Sequence, residues 1–320
     1  MATEGGTKAV VAALLANTGI AVTKFIAWGL TGASSMLAEA IHSVADSGNQ
    51  VLLLVGGRRA RRQASPSHPF GYGRVRYVFA FIVSIVLFSV GGLFALYEAF
   101  HKYEEINEGH PNELLESQWW WVPLVVLSVA IVMEGFSLRT AIRESNKIRS
   151  TSWVQFVRRA KSPELPVILL EDVGAITGLV LALIGVGMTL ITDNAYWDVA
   201  GTAAIGVLLV VIAIILAIEM SSLLVGEGAV AEKVEQIEAA LVDGAELDRV
   251  IHLRTLYTGP EELLVAAKVG VRAGQTSAAV AAAINNAEAR VRAAVPEARH
   301  IYLEPDIYRP DEASTPSTDG

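Results

Sequence analysis

The stretch Glu39-Ala-Ile-His42-Ser-Val-Ala-Asp46-Ser-Gly-Asn49-Gln50 sets an imidazole, a carboxylate and an amide inside a run that otherwise reads as a membrane-spanning helix. At about 100° per residue, His42, Asp46 and Asn49 stand at i, i+4 and i+7 and share one helix face. Such a face can bind a cation, provided the surrounding run lies in a bilayer.

The rest of the chain supports a bilayer. Of its 320 residues 52% are hydrophobic and only 18% charged, and the mean hydropathy is +0.44. The apolar residues gather into runs at 8–32, 36–57, 76–100, 119–142, 163–192 and 196–224, each long enough for a hydrocarbon core that needs about 20 residues. The pattern predicts a polytopic α-helical membrane protein with six transmembrane helices within residues 1–225. The first residues, Met1 to Thr7, lack the basic segment and cleavage site of a secretory signal, so an unprocessed start is expected.

Charge orients the spans. Arg58, Arg59, Arg61, Arg62, Arg74 and Arg76 follow the second span, and Arg143, Lys147, Arg149, Arg158, Arg159 and Lys161 follow the fourth. The positive-inside rule makes both loops cytoplasmic. The acidic loop with Glu104, Glu105, Glu108, Glu113 and Glu116 is then external, and Trp119, Trp120 and Trp121 fall where an interfacial aromatic belt belongs. Six spans leave both termini in the cytoplasm. The net charge of −8 is spread over the external loop, the C-terminal third and the tail, and no nucleic-acid signature is present, so no nucleic-acid partner is expected. Cysteine is absent, which rules out disulfides and thiolate metal sites; any metal must take nitrogen and oxygen ligands.

After Leu224 the composition becomes that of a soluble domain. An amphipathic helix over Ala229–Val242, strands over Asp248–Tyr257 and Glu262–Val271 around Thr258-Gly259-Pro260, a helix over Thr276–Ala294 and a strand over His300–Glu304 predict an αββαβ domain over 226–308. Its sheet should have helices on one face. Residues 309–320, rich in Pro, Ser, Thr, Asp and Gly, are expected to be a disordered tail.

Ionisable groups within the spans cost roughly 2.5–3.5 kcal/mol each on insertion scales and mark function. Counted at about 1.5 Å per residue from the cytoplasmic end, Asn17, Asp46, Asn49, Glu134, Glu171 and Asp172 all lie roughly 12–16 Å deep. His42 lies one turn further out. Glu39, Glu98 and Asp198 fall near the external interface, where solvation is the expected reading, and Lys24 is expected to snorkel or pair with an acid. Imidazole with carboxylates suits zinc, whereas carboxylates with an amide also suit manganese or another harder ion. The same groups must shed protons to bind metal and can regain them on release.

Met36-Leu-Ala-Glu-Ala-Ile-His42-Ser-Val-Ala-Asp46 resembles the HxxxD site on the second helix of the cation diffusion facilitator family, and Ser67-His-Pro-Phe-Gly-Tyr-Gly-Arg74 resembles that family's following loop. Asn49-Gln50, Glu134-Gly135 and Leu169-Leu-Glu-Asp172 resemble especially its zinc transporter 9 branch. Leu253-Arg-Thr255, Gly259-Pro260 and Ile301-Tyr-Leu-Glu-Pro305 are similar to the family's cytoplasmic domain. The resemblance implies six transmembrane helices, a cytoplasmic metallochaperone-like domain, a homodimer, and export of divalent cations from the cytoplasm driven by protons.

Carried over by position, the resemblance makes His42, Asp46 and Asp172 metal ligands. Where many members have a histidine four residues before that aspartate, this chain has Ile168. Glu171, Asn49 or a water then completes the set, with Glu134 and Asn17 supporting ligands or carrying protons. In the cytoplasmic domain the family's metal positions correspond to Ile251, Ala267 and Tyr302, with only Glu304 kept as an acid and His252 and His300 displaced. A dimerisation domain without a robust metal site is expected there.

The resulting expectation is a secondary active transporter rather than an enzyme, since no HExxH helix or serine dyad appears. Zn2+ is the expected substrate and protons the counter-ion, moved by alternating access in a bacterial inner membrane. Another divalent cation (Mn, Fe, Co or Mg) and a non-transporting metal sensor or scaffold are the alternatives.

Overall fold

The computed structural model of the chain describes residues 4–308 except 111, 150 and 151, with side chains from Asn17 onward apart from residue 148. The tail expected at 309–320 lies outside the described residues. The chain forms two compact units, one of residues up to Arg59 with Val75–Ser221, the other of Ala60–Arg74 with the residues from Ser222 on.

The first unit is helical. Its long helices are α1 (Glu4–Thr31), α2 (Ser34–Ala60), α3 (Val75–Asn107), α4 (Val122–Ile148), α5 (Glu164–Thr192) and α6 (Tyr196–Val225). Among the described residues, α3, α4, α5 and α6 are long and apolar enough to cross a membrane. Helix α2 has the length but is diluted by Glu39, His42, Asp46 and its terminal Arg58 and Arg59. The protein is thus an integral membrane protein with four helices, among the described residues, that are long and apolar enough to span a bilayer.

Several helices outrun their apolar runs. Helix α4 continues from 142 to Ile148 through a hydrated turn that holds an Lys147–Glu144 pair at 2.6 Å, and α3 continues to Asn107. It begins at Val122, after the tryptophans, with Pro123 in its first turn, where the missing N–H forfeits no bond. Helices α1 and α2 are joined by Gly32 and Ala33; Gly32 takes φ 61° and donates its N–H to Trp28 O at 2.7 Å, the left-handed cap that only glycine adopts without strain. Helix α3 contains a π-helical turn at Leu87–Leu93.

In the second unit, α7 (Ala231–Val242), β1 (Arg249–Gly259), β2 (Glu262–Gly270), α8 (Ser277–Ala294) and β3 (Ala298–Asp306) follow the expected αββαβ order. The strands lie in the order β1-β2-β3, with β1 antiparallel and β3 parallel to β2; the parallel pair requires the crossover that α8 supplies. Ile237 and Leu241 of α7, Ala283, Ala287 and Val291 of α8, and Leu263, Val265, Val269 and Ile301 of the sheet share one buried core. The loop Ala60–Arg74 belongs to this unit: Phe70 meets His300 edge-on at 5.3 Å, and a Cβ built on Gly73 would lie 2.8 Å from Gly259 Cα.

Candidate metal centre

Polar pairs occupy the interior of the helical unit. On α2, His42 Nε2 stands 3.4 Å from Asp46 Oδ2, one turn along the same face. This is ion-pair distance without hydrogen-bond alignment, so both ring nitrogens of His42, and Asp46 Oδ1, are buried without a hydrogen-bond partner. Across to α5, Asn49 Nδ2 donates to Glu171 Oε1 at 2.7 Å, and Asn49 Oδ1 is also buried and unpartnered. Between α4 and α5, Ser137 Oγ donates to Asp172 Oδ2 at 3.1 Å.

Glu134, Glu171 and Asp172 all lie within electrostatic range of Asp46. Glu134 and Asn17 are half-buried. Among the described residues, no three His, Asp or Glu side chains converge into a ready-made metal cluster. The structure therefore joins His42 to Asp46 and Asn49 to Glu171, and it holds Asp172 on Ser137. Ile168 faces elsewhere: it packs with Leu138, Ala141, Ile142, Leu165 and Phe156 in an apolar cluster.

The π-helical turn of α3 reaches His42. A Cβ built on Gly91 would lie 3.3 Å from Leu209 Cδ1, a tight approach, and 3.8 Å from His42 Nδ1, in ordinary contact, so this turn of α3 borders the imidazole. Such turns recur at functional positions because they displace a helix wall locally.

Two acids expected at a solvated interface are instead buried. Glu39 is fully buried, and its Oε2 accepts from Lys24 Nζ of α1 at 2.9 Å; Lys24 Nζ also donates to Ser43 Oγ at 2.7 Å. Lys24 therefore pairs rather than snorkels. Removing one member of such a pair leaves an uncompensated charge and costs about 3–5 kcal/mol. Asp198 of α6 is 1% exposed because it caps α2: it accepts from Ser34 N at 2.8 Å, Ser34 Oγ at 3.0 Å, Ser35 N at 3.4 Å and Ser35 Oγ at 2.5 Å. A carboxylate there satisfies orphan N–H groups and complements the helix dipole. Depth arithmetic misses both, since it ranks acids by distance along a helix and is blind to the neighbouring helix. The Ser34-Ser35 pair, a common N-cap signature, was the available signal.

In the second unit, Ala267 lies in the core and Tyr302 is exposed. Lys268, which stands between His252 and Glu304 in strand register, places Nζ 3.2 Å from Glu304 and 3.1 Å from Asp306. Hydrogen bonds to Asp306 and Glu304 raise the Lys268 pKa above its usual range.

The sequence matches the cation efflux transmembrane domain over residues 10–225. The chain belongs to the cation diffusion facilitator family. It is 31% identical over 252 residues to the proton-coupled zinc antiporter SLC30A9, mitochondrial, of Xenopus laevis, covering 78% of this chain and 44% of that protein. The Homo sapiens counterpart is 30% identical, with 78% and 43% covered. Metal tolerance protein C4 of Arabidopsis thaliana is 26% identical over 256 residues, with 79% and 54% covered. The chain thus spans about half the length of these relatives.

Proposed function

We propose that this chain exports divalent cations, zinc foremost, in exchange for protons. The observation that carries the reading is the group of buried, unpartnered ligand atoms on one face of α2, His42 Nδ1 and Nε2, Asp46 Oδ1 and Asn49 Oδ1. Buried polar atoms are ordinarily satisfied, and nitrogen and oxygen lone pairs of this kind suit a zinc-sized cation. Relatives named proton-coupled zinc antiporters support the same reading.

His42, Asp46 and Asp172 are ligands in this proposal, and Glu171 is the fourth. Asn49 fixes one Glu171 oxygen by its amide and leaves the other for metal; Glu134 and Asn17 assist proton movement. The Asn49–Glu171 and Ser137–Asp172 hydrogen bonds must be exchanged for coordination as the metal enters, which ties ligand assembly to small movements of α4 and α5 against α2. Protons displaced from His42 and the carboxylates leave as metal enters, and they return as it departs. Six spans, both termini in the cytoplasm, a bacterial cell membrane and a homodimer built on the αββαβ domain complete the proposal.

Zinc flux into proteoliposomes under a pH gradient tests it. Asp172→Ala should abolish flux while leaving the elution profile and helicity unchanged, and wild-type flux from that variant overturns the assignment. The packing of Ile168 into an apolar cluster favours a second reading, a metal-sensing scaffold that does not transport; absence of metal-dependent flux from the wild-type chain selects it.

A further inference from the structure

We infer that Lys24 is a positioning residue for the metal centre, and that with Glu39 and Ser43 it sets the chain's preference for zinc over harder cations. The inference rests on the reading of His42 as a ligand.

The geometry is a staple around one turn of α2. The Lys24 ammonium reaches from α1 to Glu39 Oε2 at 2.9 Å and to Ser43 Oγ at 2.7 Å, contacts that stand three residues before His42 and one after it. All three partners are buried, Lys24 at 1%, Glu39 at 0% and Ser43 at 7% exposure. On its far side the Glu39 carboxylate abuts α5, where a Cβ built on Gly178 would lie 2.7 Å from Oε1. The turn that carries His42 is therefore pinned from α1 and bounded by α5. Rotating α2 enough to re-aim the imidazole would break both hydrogen bonds or drive the carboxylate into the α5 backbone.

His42 makes no hydrogen bond through either ring nitrogen, and its 3.4 Å contact with Asp46 lies on the same helix, so no neighbouring helix fixes the ring through a hydrogen bond. Its aim depends on the rotation of the helix beneath it, which the staple controls. Imidazole nitrogen distinguishes zinc from ions that prefer an all-oxygen shell. A loosened His42 should therefore weaken zinc more than manganese, whose oxygen ligands remain. Lys24 also lies within electrostatic range of Asp46 and Glu134; that effect acts on both divalent ions alike and leaves their ratio unchanged.

The test is competitive zinc and manganese uptake by the full chain in proteoliposomes, read as the ratio of half-saturating concentrations. Ser43→Ala removes one limb without stranding a charge, and Lys24→Gln with Glu39→Gln removes the ion pair while keeping hydrogen-bonding groups. Each should cut the preference for zinc by about tenfold, the low end of what losing ligand-orienting groups costs. Neither should change it in a His42→Asn background, where the coupling has no ligand to act through. A fall in folded protein lowers the maximal flux of both ions but leaves their half-saturating concentrations unchanged, so it cannot imitate this. An unchanged ratio in Ser43→Ala, or an equal fall with His42 already replaced, overturns the inference while the transporter reading stands. Wild-type chain without metal-dependent flux overturns that reading and the inference with it.

Discussion

Replacing Asp198 by alanine should destabilise the helical unit more than replacing any exposed acid, because one carboxylate caps α2, the helix that carries His42 and Asp46. Four donors converge on it: the N–H and hydroxyl of Ser34 and those of Ser35. The Ser34 hydroxyl keeps an alternative, since Thr202 Oγ1 lies 3.0 Å away. The two backbone N–H groups have none in the first turn of α2. Loss of an N-cap costs about 0.5–2 kcal/mol, and stranding a buried donor costs about 1–3 kcal/mol. Allowing for overlap between the two terms, Asp198→Ala should cost about 2–4 kcal/mol. Asp198→Asn, which keeps one acceptor but loses the charge and turns an amide toward donors, should fall between alanine and wild type. Asp193→Asn, at an exposed left-handed helix end, is the control. Thermal unfolding of the detergent-solubilised chain, followed through tryptophan fluorescence, ranks the three. If Asp198→Ala melts with the control, the cap contributes nothing and the reasoning fails.

Three further outcomes are expected. Glu171→Ala should abolish saturable zinc binding, and Asn49→Ala should weaken it about tenfold by releasing the ligand it orients; calorimetric titration yielding wild-type affinity for Glu171→Ala would remove it from the ligand set. Gly206→Ala should destabilise the α3–α6 contact by about 1–3 kcal/mol, because its Cβ would lie 2.9 Å from Leu96 N as well as 2.7 Å from Leu96 Cγ, and backbone cannot swing aside; an unchanged melting temperature contradicts this. In the second unit, burial raises the Glu297 pKa, but the hydrogen bond from Lys233, a backbone hydrogen bond and the Lys233 charge together outweigh it, and the carboxyl sits below its usual 4.5. A lowered folded-state pKa stabilises above the unfolded value and is lost as pH falls through the folded one. Acid unfolding of the C-terminal sheet, followed by circular dichroism below about pH 4.5, should therefore be steeper in the wild type than in Glu297→Gln, and parallel curves would refute the coupling.

The helices and the αββαβ order were legible because their signals are local. Apolar length marks a span, alternation marks a strand, and Thr258-Gly259-Pro260 marks the turn between β1 and β2. Helix ends were less so: Arg143 to Lys147 read as a loop because hydration, not helix breaking, ends the apolar run. The candidate site was legible in part. The spacing of His42, Asp46 and Asn49 placed them on one face of α2, and residue depth grouped Asp46 and Asn49, but not His42, with Glu171 and Asp172. Their partners were not legible, since Lys24, Ser137 and Asp198 act across helices, through neighbours that sequence separation does not reveal. Glu39 shows the same limit, because an acid near a helix end is solvated or buried according to what stands opposite it.

The pairing pattern bears on how a transporter can release what it binds. A cluster of His42, Asp46, Glu171 and Asp172 assembled in advance would offer zinc four fixed ligands and hold it too firmly. Here Asn49 already engages Glu171 and Ser137 already engages Asp172, and a typical intramolecular hydrogen bond is worth about 0.5–1.5 kcal/mol net. Metal binding must exchange those bonds for coordination, which subtracts from affinity. The two carboxylates that would trade these bonds, Glu171 and Asp172, lie on α5, whereas His42 and Asp46 stand on α2, whose N-terminus is capped from α6 and whose outer turn is pinned by Lys24. One side of the centre is thus held rigid and the other is held by bonds that can be traded. In the proposed transporter, a site so divided forms as Glu171 and Asp172 trade these bonds for the metal and dissolves as they recover them, so binding strength would follow helix position, which is the property that alternating access requires.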